Sequence, residues 1–124
     1  MMAHLSPADV LQAVAEPTRL RILNCLAAAP LFVSDLQELL GLPQPTVSRH
    51  LQVLRKLDLV RDTPIAPYVL YRLRRTGGAQ GRMLDAILST VGNVEPTRSE
   101  RAAAKDRSRA NYRARIEKEE AYQA

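Results

Sequence analysis

Apolar residues recur along this chain mostly with a helical period, interrupted once by a pair of short runs with strand character. Between Gly41 and Val60, residues Val47, Leu51 and Leu54 fall at i, i+4 and i+7. Leu57 follows three further on, so one helical face is apolar. The opposite face carries Thr46, Arg49, His50 and Gln52, and the segment closes on Arg55-Lys56. Just upstream, Ser34-Asp35-Leu36-Gln37 predicts a helix start in which Ser34 caps the Gln37 N–H and Gln37 reaches back. Leu36, Leu39 and Leu40 supply its buried face. Gly41 stops that helix, because the position just past a C-cap favours positive φ. A short helix, a tight turn and a second helix with a basic outer face predict a helix-turn-helix.

Two helices are predicted before it. Ser6 caps the first, with Pro7 in its first turn, Asp9 facing the positive end, and Val10, Leu11 and Val14 as an apolar stripe. Pro17 opens the second, where Leu20, Leu23 and Ala27 form one row and Ile22 and Leu26 another, as expected of a central core helix. Arg19 and Arg21 project from its first turns, solvated, paired with Glu16 or on phosphate. Ala28-Ala29-Pro30 ends it, and Leu31-Phe32-Val33 crosses to the third helix. Downstream of the helix-turn-helix, 59–63 and 68–73 predict strands around a stiff Pro64-Ile65-Ala66-Pro67 tip. After Gly77, Gly78 and Gly81, Leu84, Ile87, Leu88 and Val91 mark another amphipathic helix, and 93–96 is a break. The expected organisation is a mainly α domain over residues 1–94 and a charged helical extension over 95–124.

Composition narrows the class. The chain has 124 residues, with 18 Lys and Arg against 13 Asp and Glu, and a net charge of +5. A small basic domain favours polyanions, nucleic acid foremost. A single cysteine excludes an intramolecular disulfide framework and suits a reducing cytoplasm. No apolar run reaches the ~20 residues of a membrane span, and no secretory signal is expected at the start. Gly77-Gly78-Ala79-Gln80-Gly81 lacks the preceding buried strand and following lysine of a phosphate loop. The carboxylates are isolated or helix-terminal, so no enzyme and no cofactor is expected.

The side chains opening the second helix of the helix-turn-helix suit double-stranded DNA. Gln44 can pair bidentately with adenine and Arg49 with guanine, while the Thr46 methyl can meet a thymine methyl. Arg55 and Lys56 come a turn or more later, where phosphate or solvent is the expected contact. Pro-Thr-Val-Ser-Arg-His-Leu-Gln-Val-Leu at 45–54, preceded by Ala-Glu-Pro-Thr-Arg-Leu-Arg-Ile-Leu at 15–23, closely resembles the ArsR-type winged-helix repressors. The resemblance runs from about Ser6 to Leu73, continues weakly to Val94, and does not cover the tail. It implies a winged helix-turn-helix and a homodimer built through the first and last helices of the domain. It also implies a palindromic operator, and roles for Ser48 and His50 in lining DNA or bracing the helix. The hairpin becomes the wing, whose tip here carries no basic residue, leaving Arg72, Arg74 and Arg75 at its base to substitute.

The family's metal and thiol sites can be sought by position. A Cys-Val-Cys site at the start of the third helix corresponds to Phe32-Val33-Ser34, and no histidine follows His50 to build a site on the last helix. His4, His50 and Cys25 are scattered over three elements, so no metal site is expected. Cys25 falls near one of the two cysteines of thiol-sensing members. The region of its partner holds Met83, Leu84 and Ile87, so it is expected to be a buried small hydrophobe. The expected function is sequence-specific DNA binding, as a repressor. The alternatives are a protein-interaction adaptor on the same scaffold, favoured by the neutral wing tip, and a thiol-responsive repressor acting through Cys25. No particular effector is implied. For the tail, residues 97–124, the expectation is a loosely held charged helix, ahead of a basic arm on DNA and of an extension folded back over the dimer.

Overall fold

Helix α2 (Pro17–Ala28) is the axis of the fold, as an apolar surface over much of its circumference requires: Ile22, Leu23 and Leu26 are buried within it. The computed structural model describes residues 6–75 and 77–123. In chain order the elements are α1 (Pro7–Ala15), α2, β1 (Leu31–Phe32), α3 (Val33–Leu40), α4 (Gln44–Lys56), β2 (Val60–Ile65), β3 (Tyr68–Leu73), α5 (Gly78–Val91) and α6 (Thr97–Gln123). One core joins Ile22, Leu23 and Leu26 of α2 to Leu36, Val47, Leu51 and Leu54 of α3 and α4, and to Leu84 and Leu88 of α5. The fold is mainly helical, a winged helix with a β-hairpin and a long last helix.

Local chemistry sets the helix ends. At α1, Ser6 and Asp9 form a reciprocal capping box, with each side chain accepting the other residue's backbone N–H. The Glu16 carboxylate accepts the Arg19 N–H at 2.8 Å and so caps α2. The Arg19 guanidinium turns back onto α1. It donates to the Ala13 and Gln12 carbonyls at 2.9 and 3.2 Å, satisfying the last turn of α1. Ser34 is not the cap of α3, contrary to expectation. The helix begins two residues earlier, at Val33, and the Asp35 carboxylate accepts the Phe32 N–H at 2.8 Å, leaving Ser34 exposed. A carboxylate at the third helical position does this work without the serine hydroxyl.

Leu31–Phe32 is a strand rather than a plain crossing. It pairs antiparallel with β3, giving a sheet of order β1-β3-β2. β2 runs on through Pro64 and Ile65, two residues beyond expectation, because it is the edge strand and an edge tolerates a missing N–H.

The expectation of a loosely held tail fails for the first half of α6. This helix packs along α2 and reaches α3 and β1. The contacts are polar, which is why no apolar stripe announced them. Glu100 forms an ion pair with Arg21, and Asn24, fully buried, donates to the Thr97 carbonyl at 2.8 Å and accepts from Arg101 Nε at 2.9 Å. Arg101 also donates to the Leu88 carbonyl, joining α2, α5 and α6. Arg107 pairs with Asp35 and Glu38, and Asn111 Nδ2 donates to Asp35 at 2.9 Å. Ala104, fully buried, is the small residue that lets the helix axes approach. Beyond Tyr112 the helix is largely exposed.

Candidate nucleic-acid interface

Left-handed residues bracket α4, one in the turn before it and one just past its end. Gly41 follows α3 at φ 65°, which lets the Leu42 N–H donate back to the Gln37 carbonyl at 3.1 Å. At the end of α4, Asp58 takes φ 60°. Its N–H donates to the Arg55 carbonyl at 3.0 Å and that of Leu59 to the Leu54 carbonyl at 2.9 Å, a Schellman closure. Aspartate is one of the few residues other than glycine that enters this region readily, and Arg74 forms an ion pair with its carboxylate. Between these ends Val47, Leu51 and Leu54 are fully buried, so the outward face of α4 is dictated by its inward one.

That outward face carries the expected DNA-reading residues. Gln44 and Arg49 are exposed, and Thr46 and Ser48 are half-buried beside them. Gln44 Nε2 donates to Ser48 Oγ at 2.7 Å across one turn, which orders the first side chain of the helix before any ligand arrives. Its amide oxygen and second N–H remain for a base edge. Pro43 precedes the helix without a side-chain cap. His50 lies lower on the helix, with Nδ1 3.7 Å from the Glu16 carboxylate at the corner between α1 and α2. Arg55 pairs with Asp62 of β2 at 3.1 Å, a half-exposed contact that ties the helix end to the wing.

The wing brings together two residues that periodicity alone could not. Strand register places Arg61 directly opposite Arg72, both exposed, on the sheet face away from the core. Like charges at directly opposed positions disfavour the hairpin, so the pair is a natural seat for an anion. Arg72 was expected at the wing base. Arg61 was missed, because only the register, counted back from the Ala66–Pro67 turn, reveals its partner. Arg74 is turned inward to Asp58, whereas Arg75 is exposed.

Cys25 is fully buried in α2, and burial pushes its thiol up to about 12. A thiol so held is protonated at neutral pH and a poor nucleophile. Among the described residues, no three His, Cys, Asp or Glu side chains converge as a metal ion would need. His4 lies outside the described residues. No helix among them is long and apolar enough to cross a membrane.

A core helix, a helix-turn-helix with a polar outer face and an arginine-bearing hairpin define a winged helix-turn-helix of the nucleic-acid-binding class. Residues 16–62 match the family described as bacterial regulatory protein, arsR family. The chain is 45% identical over 73 residues to the HTH-type transcriptional regulator NmtR of Mycobacterium tuberculosis, a match covering 59% of this chain and 61% of that one. It is 40% identical over 77 residues to the HTH-type transcriptional regulator Rv2034 of the same organism, covering 62% of this chain and 72% of the relative. The crystal structure of NolR from Sinorhizobium fredii superposes with a TM-score of 0.58 at 30% identity, covering 75% of this chain and all of that one. The chain belongs to the ArsR family of bacterial regulatory proteins. The match to the first of these regulators spans less than two thirds of its length.

Proposed function

We propose that this protein is a sequence-specific DNA-binding repressor acting as a homodimer on a palindromic operator. The observation that carries this reading is the face of α4. An apolar side anchored by Val47, Leu51 and Leu54 presents Gln44, Thr46, Ser48 and Arg49 outward. α4 lies in the major groove with Arg49 on a guanine and Gln44 on an adenine, while Arg55 and the Arg61–Arg72 pair take phosphates. The dimer forms through α1 and α5. Leu11 on α1 is 52% exposed, and Met83 and Ile87 on α5 are only partly covered. A second copy burying these side chains adds apolar area that so small a domain lacks. A reading as a protein-interaction adaptor draws on the uncharged wing tip, but an adaptor has no need of two opposed arginines at the wing's base.

The test is a gel-shift and footprint on the DNA upstream of the protein's own gene. Arg49→Ala is expected to cost ~1–3 kcal/mol and to relax preference at one base pair per half-site. Half-sites are expected one helical turn, ~34 Å, apart. Unchanged affinity in that variant would favour the adaptor, and protection of a single half-site would count against the dimer.

A further inference from the structure

Phe32 and Leu70 are paired across β1 and β3, and Ile65 ends β2 on the same sheet face. The Tyr68 ring meets Phe32 edge-on, with centroids 5.9 Å apart. α6 crosses this face, and Asn111, Tyr112 and Arg115 form one wall of a half-open groove of about 160 Å³ over Phe32, Ile65 and Leu70. An apolar cavity of roughly 150 Å³ is large enough to hold a benzene ring. Asn111 is committed to Asp35. Among the described residues Arg115 pairs with Glu119, 3.6 Å away with both side chains 65% exposed, too far for a good hydrogen bond and weakly held in water. Its guanidinium therefore keeps donors for an anion at the mouth of the groove.

We propose that this groove binds a small aromatic carboxylate of benzoate size. The ring lies between Tyr112 and the Phe32–Ile65–Leu70 floor, and the carboxylate accepts from the Arg115 guanidinium. Such a ligand bridges the wing to α6, and α6 is in turn tied by Arg107 and Asn111 to Asp35 in the first turn of α3. The bound anion also sits on the sheet face that carries Arg61 and Arg72. On the DNA-binding reading above, it competes electrostatically with operator phosphate and lowers operator affinity.

Amide NMR titration of the full chain with sodium benzoate, and with benzyl alcohol as a neutral analogue, tests the site without DNA. Saturable shifts are expected at Phe32, Ile65, Leu70 and Tyr112. Arg115→Gln should weaken benzoate about tenfold while leaving benzyl alcohol within about twofold. Ile65→Trp, which fills the groove, should abolish both. Diffuse or non-saturating shifts, or benzoate binding indifferent to both substitutions, would overturn the site. In a gel-shift at matched ionic strength, saturating benzoate should weaken operator binding by wild type about threefold or more, and not by Arg115→Gln. Localised binding without that change would overturn the coupling. Failure of the unliganded protein to bind any operator would strike the proposed function and leave the groove result standing.

Discussion

Asp35 is where α6 is fastened to the helix-turn-helix, and its removal tests the whole arrangement. Its side chain is 6% exposed and accepts from the Phe32 N–H, from Asn111 Nδ2 and from Arg107. Asp35→Ala orphans each of these donors to a different degree. Loss of the helix-start bond costs ~1 kcal/mol. Loss of the Asn111 bond to an ionised acceptor adds ~1.5 kcal/mol. Arg107 contributes only ~0.5 kcal/mol, because it is one-third exposed and keeps Glu38 at 2.6 Å. Relief of a desolvated carboxylate offsets part of the loss, leaving an expected destabilisation of ~2–3 kcal/mol. Urea unfolding at fixed protein concentration measures it, since the proposed dimer would make apparent stability depend on concentration. A cycle with Asn111→Ala should show a coupling of ~1 kcal/mol. A cost no greater than the helix-start bond, with zero coupling, would refute the docking of α6 on α3.

Three further outcomes follow from the same geometry. Gly92→Ala is expected to destabilise by ~1–2 kcal/mol in urea unfolding. A Cβ there would overlap the Arg101 guanidinium, which must leave Asn24 and the Leu88 carbonyl to make room. A neutral result would mean that those bonds contribute nothing. Arg61→Ala with Arg72→Ala is expected to leave the free protein equally or slightly more stable, yet to flatten the salt dependence of DNA binding by roughly 0.9 for each phosphate no longer neutralised. An unchanged slope would remove the pair from the interface. For Cys25, the raised thiol pKa favours the neutral form in the fold. The resulting stability is complete below the ordinary thiol range and is lost as pH rises toward about 12. At pH 8, labelling by a thiol reagent should therefore be slow in the native protein and fast in urea, and rapid native labelling would revive a thiol switch.

The helix-turn-helix was legible because its parts are local. The spacing of Val47, Leu51 and Leu54 fixes which face of α4 is buried, and therefore that Gln44 and Arg49 point outward. Gly41 marks the turn by a backbone requirement few other residues meet. The strands of the wing announced themselves through β-branched and aromatic residues, although the edge position that admits Pro64 could not be known before the sheet order. What the tertiary structure decided are relations between residues far apart in sequence. Arg61 and Arg72 look like ordinary surface arginines until register sets them opposite one another. Asp35 reads as a helix-start residue, and only α6, more than seventy positions later, turns it into an anchor. The tail itself looked solvated because periodicity detects apolar burial. Its docking depends on complementary polar partners, Arg21 with Glu100 and Asn24 with Arg101, and on one small residue, Ala104. Hydrogen-bond complementarity has no period along a chain, so it becomes visible only when both partners are in place.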